Sequence, residues 1–253
     1  MRLENFPLPE QKEDKKIEKK FDDRILEKLN PVMAETAEAL RFEGFAVDDY
    51  LQAEPSAFGA IFDKKEIDSD QKKTWALEEE FLKDKFKEFS ESGITPELLE
   101  IAVPIGFNKG WAGDRFTAIR AARFDDIFNG VDAFLIDRET GLAVAAIDIT
   151  ADIKKKINNP KIQKRITNGC KIKYGFGLDK DGAYLRSYEK LPLIFISLTK
   201  KQLEEGVEDF TSLDGEIIQT LRSQASALKH LPQIKGLIDR DVDKAYRDLY
   251  AKL

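Results

Sequence analysis

The run GVDAFLIDRETGLAVAAIDIT, residues 130–150, constrains this chain more than any other stretch. Its two halves are apolar and rich in β-branched or small side chains, and RETG between them carries turn residues, so the run predicts two antiparallel strands. Such a pair should be dry on its buried face, yet it holds Asp132 and Asp148. With Glu139-Thr140-Gly141 as a three-residue loop and Gly141 left-handed, Arg138 faces Leu142. Counting then sets Ile136 opposite Val144, Phe134 opposite Ala146 and Asp132 opposite Asp148. Opposed side chains have Cβ atoms ~4.5–5.5 Å apart, where like charges destabilise. Val131, Phe134, Ile147 and Ile149 lower the local dielectric and deepen that repulsion. A divalent cation, a shared proton or a salt bridge to a lysine would each offset it. A four-residue loop would instead slip the register by one and send the aspartates to opposite faces. The plainer alternative makes both of them strand-end acids that cap turns or bridge to Lys171 or Lys173.

With 253 residues, 42% hydrophobic and 35% charged, the chain can bury a sizeable core beneath a heavily charged surface. It contains no apolar run of membrane-spanning length, and its start, MRLENFPLPEQKEDKK, lacks the apolar segment of a secretory signal. No membrane partner and a cytoplasmic location are expected. A single cysteine, Cys170, excludes an internal disulfide and a thiolate metal site. A single histidine, His230, near a helix end in ALKHLP, argues against histidine-dependent triads. Polar chemistry therefore falls to carboxylates, lysines and hydroxyls. The net charge is −6, but between 151 and 175 Lys154, Lys155, Lys156, Lys161, Lys164, Arg165, Lys171 and Lys173 face the single acid Asp152. That local excess suits a polyanion, and equally a solvated helix face.

Ile17, Phe21, Ile25 and Leu29 recur every four residues and predict a helix over 11–29 that Pro31 stops or restarts; a second helix over 32–42 ends at Gly44. The stretch 45–68 reads as irregular. Residues 69–91 predict a helix capped by Ser69 or Asp70 and stopped at Gly93, with Trp75, Phe81, Leu82, Phe86 and Phe89 on its buried side. TPELLEIAV opens another, with Thr95 as cap and Pro96 at the first position, where proline's missing donor is not needed; Pro104 ends or bends it. GFNKGWAG lacks the spacing of a nucleotide-phosphate loop, and a short helix follows over 114–122. Asn129-Gly130 predicts a tight hairpin, pairing a strand that holds Asp125 and Asp126 with the Asp132 strand. Beyond 150, helices flank Pro160, CKIKYGFGL and AYLRSY form strands about DKDG, and LPLIFISLT suits an interior strand covered on both faces. Helices cover 200–206, 214–229 and 239–252. The order predicts a mixed α/β fold: an α-helical N-terminal segment over 1–95, then an α/β domain over 96–253 with a helical C-terminus.

A strand with an aspartate after Gly130-Val131, a turn, a strand ending in acid-x-lysine and then a helix resembles the core of the PD-(D/E)XK nuclease superfamily. The likeness covers about residues 114–200. It implies a restriction-endonuclease-like core, a central mixed sheet with antiparallel hairpins flanked by helices. In that superfamily two acids bind catalytic Mg²⁺, the backbone carbonyl after the second acid often helps, and the lysine assists the attacking water or the transition state. The resemblance thus implies Asp132 and Asp148 as catalytic metal ligands, joined by the Ile149 carbonyl and by Asp126, around Mg²⁺ or Mn²⁺. Thr150 stands where the lysine is expected. Some members carry that lysine on the following helix, where Lys154, Lys155 and Lys156 lie, and Lys155 or Lys156 would reach back one turn. No glutamate occurs between Glu100 and Glu139 to serve as the upstream acid, for which Asp114, Asp125 and Asp126 are the substitutes. Arg120, Arg123, Lys154, Lys161, Lys164 and Arg165 would contact phosphates, although pairing with nearby acids is the alternative for the first two. The implied function is a metal-dependent nuclease acting on nucleic acid, DNA more than RNA. The alternatives are a catalytically inactive nucleic-acid-binding module, or an interaction module with a protein partner or a second copy of the chain.

Overall fold

The computed structural model describes residues 9–84, 94–150, 152–231 and 236–253. Helix α1 (Pro9–Phe42) runs without a break through Pro31, where the sequence predicts a stop. Ile25, Leu29, Met33, Ala37 and Leu40 are buried along one stripe on both sides of it, and Pro31 itself is exposed. Packing of that stripe against α3 (Pro96–Asn108) and α6 (Lys200–Glu208) offsets the hydrogen bond that proline removes. Helix α2 (Lys64–Asp84) begins earlier than predicted, and the Asp63 carboxylate, rather than Ser69 or Asp70, accepts the Lys65 N–H at 2.8 Å. Its Trp75 is 61% exposed, not core. Phe86, Phe89 and the Gly93 stop lie outside the described residues, as do the side chains of Phe81 and Leu82. Helix α3 starts at Pro96 after Thr95, which holds the cap position but whose side chain makes no capping bond, and it continues through Pro104 to Asn108.

Strand β1 (Trp111–Asp114) and strand β2 (Phe116–Arg120) occupy the place of the predicted helix over 114–122. FTAIR is short and apolar, and helix and strand periods do not separate over so few residues. The central sheet has the order β2-β3-β4-β7, with β3 (Ala133–Asp137) antiparallel to β2 and to β4 (Leu142–Ile149), and β7 (Leu193–Ile196) parallel to β4. It is therefore a mixed sheet, and α3 packs across β2 and β4. The crossover from β4 to β7 carries α4 (Ile153–Ile157), α5 (Pro160–Asn168) and the hairpin of β5 (Cys170–Asp179) with β6 (Gly182–Leu191). Strand β7 lies at the sheet's edge rather than inside it. Its outer backbone is nonetheless satisfied by side chains from α7 (Asp214–Ala227) and α8 (Arg240–Lys252). The Tyr246 hydroxyl accepts from Leu193 N–H at 3.1 Å and donates to its carbonyl at 2.9 Å; the Gln224 amide does the same for Phe195, at 2.7 Å each way. Among the described residues no helix is long and apolar enough to cross a membrane.

The β3–β4 turn decides how the aspartates meet. It has four residues between Asp137 and Leu142, with Gly141 left-handed at φ +66°. Ile136 therefore faces Ala143, not Val144. Between Leu135 and Ile136 the register shifts, because β4 carries one extra residue, and beyond this bulge Leu135 faces Ala145, Phe134 faces Ala146 and Ala133 faces Ile147. The longer turn and the bulge cancel. Asp132, one residue before β3, comes level with Asp148 as the three-residue count predicts.

Candidate functional site

Asp132 is fixed by backbone on two sides. Its N–H donates to the Ile147 carbonyl at 2.9 Å and its carbonyl accepts from Ala121 N–H at 3.0 Å. Its Oδ2 accepts the Ile149 N–H at 2.5 Å, which turns the carboxylate toward β4 beside Asp148. Asp148 is buried, with 2% exposure, and Lys156 of α4 bonds its Oδ1 while an Arg165 Nη of α5 stands 3.7 Å from its Oδ2. The two acids share one site, and lysine and arginine offset part of their repulsion. Of the two lysines expected to reach back, Lys156 does so and Lys155 is exposed. Thr150, at the motif's lysine position, is buried and its hydroxyl accepts the Asp152 N–H at 3.2 Å, so it ties down the turn into α4.

Burial pushes the Asp132 carboxyl well above the usual carboxylate range, and Asp148, Asp126 and Glu100 push it further against the pull of Lys156. Burial also raises Asp148, opposed by Lys156 and Arg165. Burial holds the Cys170 thiol up at about 12, so it stays neutral and is no thiolate nucleophile.

The loop before Asp132 is not the predicted hairpin. Asp125–Asn129 form a π-helical turn that ends at left-handed Gly130, φ +63°. Asp125 and Asp126 thus lie on this turn rather than on a strand. Buried Asp125 accepts from the backbone N–H groups of Lys173 at 2.8 Å and Tyr174 at 3.0 Å and from the Asn129 amide at 2.6 Å, so it anchors the turn to β5. Asp126 pairs with Arg123, whose Nε also bonds Glu78 at 2.5 Å. Arg120, on β2, lies 3.4 Å from Glu100. Arg165 donates to the Gly130 carbonyl, so it holds the turn as well as facing Asp148. Lys154, Lys161 and Lys164 are exposed, and Asp114 sits exposed at the end of β1.

Glu100 is the acid that the sequence reading passed over. It projects from α3, whose neighbours Leu98, Leu99, Ala102 and Val103 are buried, and its charge acts on Asp132. The signal was the one that exposes Asp132 and Asp148: a lone acid in an apolar run. Among the described residues no group of three or more His, Cys, Asp or Glu is arranged to hold a metal ion. Mg²⁺, however, commonly takes one or two carboxylates and completes its shell with water and phosphate oxygens, and two neighbouring carboxylates are a donor set of that kind. Comparison of the chain with family models, with curated proteins and with solved structures finds no match.

Proposed function

We propose that this protein is a metal-dependent nuclease of the PD-(D/E)XK type that hydrolyses phosphodiester bonds in nucleic acid. The observation that carries the reading is the meeting of Asp132 and Asp148 at one end of a mixed sheet, with Lys156 delivered to Asp148 from the following helix. A mixed sheet with antiparallel pairs and flanking helices is also what a restriction-endonuclease-like core requires. Asp132, Asp148 and the Ile149 carbonyl would hold Mg²⁺ or Mn²⁺, which when bound supplies Lewis acidity and an acidified water. Lys156 provides the positive charge that Thr150 cannot, close enough to Asp148 to donate to a phosphate oxygen. Arg165 keeps the Gly130 turn, and with it Asp132, in register with Asp148. Arg123 draws Asp126 into an ion pair, so that acid shapes the local potential rather than serving as an open ligand.

The test is incubation of the full chain with supercoiled, linear and single-stranded DNA in Mg²⁺ or Mn²⁺. Asp148→Asn should lower cleavage by about a hundredfold or more, the usual scale for losing a central electrostatic group. Cleavage that survives Asp148→Asn unchanged rejects the assignment. A second reading, a nuclease-like module that binds without turnover, is favoured by Thr150 and by the cations already paired with Asp148. It predicts salt-sensitive binding that needs no divalent ion and no cleavage of any substrate.

A further inference from the structure

A cleft of about 470 Å³ opens between α2, α3, β2 and the 3-10 turn Pro55–Ala60, and Glu100 is one of its walls. Arg120, another wall, directly precedes Ala121, whose N–H donates to the Asp132 carbonyl at 3.0 Å, so cleft and acid pair adjoin. The volume suits a ligand of small-molecule size. Trp75 lines it with 61% of its surface exposed, on a helix whose inward stripe is taken by Ile67, Asp70 and Thr74. Phe124 lines it too, backed by Phe128 stacked at 4.8 Å between ring centroids. Arg120, whose side chain is 13% exposed, keeps its Nε–H buried with no acceptor among the described residues. Its Nη atoms make two long bonds, 3.4 Å each, to the Tyr50 carbonyl and to Glu100. A buried donor left unpaired is costly, so the wall lacks an acceptor that a ligand would bring. Glu78, Glu97 and Glu100 stand around the cleft with Arg120 and Arg123, and their carboxylate oxygens suit a ring carrying N–H donors.

We propose that the cleft receives one unpaired nucleobase of a single-stranded substrate, its face stacked on Trp75, a base carbonyl accepting from Arg120 Nε and its N–H groups turned to the carboxylates. The phosphates stay outside, toward the basic helices α4 and α5. This inference rests on the nucleic-acid reading above and adds to it a preference for unpaired bases.

The two tryptophans separate the test cleanly, because Trp111 is fully buried and Trp75 is not. The full chain is titrated in EDTA with a short, end-labelled oligodeoxycytidylate, reading tryptophan emission and label anisotropy together. Saturable quenching is expected. Trp75→Phe should keep the affinity within about twofold, whereas Trp75→Ala should weaken it about tenfold, the loss expected for one stacked base. Binding without quenching, affinity unchanged in Trp75→Ala, or no binding of any oligonucleotide overturns the proposal. Its fate is separable from that of the nuclease. Quenching with no cleavage in Mg²⁺ leaves the base site standing and removes turnover; cleavage that is indifferent to Trp75→Ala, with no quenching, does the reverse.

Discussion

Single buried carboxylates in this molecule answer the same electrostatic problem in different ways. Asp125 is satisfied by backbone N–H groups, Asp148 by Lys156 and Arg165, and Asp137 by a cluster that closes the fold. Asp137, with no exposed surface, receives Lys252 from the last turn of α8, Arg115 Nε at 3.1 Å and the Thr140 hydroxyl at 2.8 Å. Burial works to raise its carboxyl, but these donors win and hold it below its ordinary value of 3.8. A carboxyl whose native value is depressed contributes stability that is present in full above its unfolded value and lost as pH falls through the native one. Asp137→Asn should therefore cost roughly 2 to 3 kcal/mol at neutral pH, leaving partly buried Lys252 without its counter-charge and Arg115 with Glu139 alone. Thermal unfolding at pH 7 and at pH 3 tests this. The gap between wild type and variant should shrink in acid, where the native carboxylate itself begins to take up a proton, and a gap that is constant or grows would contradict the assignment.

Among the elements, strand β7 depends on a device that no strand pattern announces. Two side chains act as a fifth strand, and Tyr246→Phe would leave the Leu193 N–H and carbonyl buried without partners. The expected cost is about 2 kcal/mol in urea unfolding, accompanied by concentration-dependent aggregation through the opened edge. What the sequence discloses about elements follows the same division between local and distant causes. The strand pair β3–β4, the start of α3 at Thr95-Pro96, the two helices about Pro160 and the β5–β6 hairpin were legible because turn and cap residues act within a few positions. Strand β2 was not, because a five-residue apolar run carries no decisive period. The face of α2 was misread because its buried stripe is polar. Asp70 bonds Lys173 and Tyr174 across more than a hundred residues, so it occupies the inner face that hydrophobicity assigns to Trp75. The meeting of Asp132 and Asp148 was predictable as an anomaly, but through a turn one residue too short; the bulge that corrects it exists only in the paired strands.

For the molecule as a whole, the net charge of −6 opposes a polyanionic partner, so any contact must come from segregation of charge. The eight cations between 151 and 175 divide evenly. Lys156 and Arg165 serve Asp148, Lys171 pairs with Glu189, and Lys173 pairs with Glu66 and Asp70. Lys154, Lys155, Lys161 and Lys164 are exposed, and none is ion-paired with a described residue. Of the eight, these four are open to backbone phosphates, and they lie on α4 and α5, the helices that follow the acid pair. Replacing Lys161 and Lys164 together by alanine removes two such contacts without touching Asp132, Asp148 or Lys156. Each phosphate contact contributes about 0.7 to 0.9 to the slope of log affinity against log salt, so the double variant should flatten that slope by roughly 1.5. Affinity at low salt should fall for every sequence alike, because phosphate contacts carry no base information. A slope that does not change would place the phosphate path elsewhere on the surface; a loss confined to particular sequences would make these lysines readers of bases rather than of backbone.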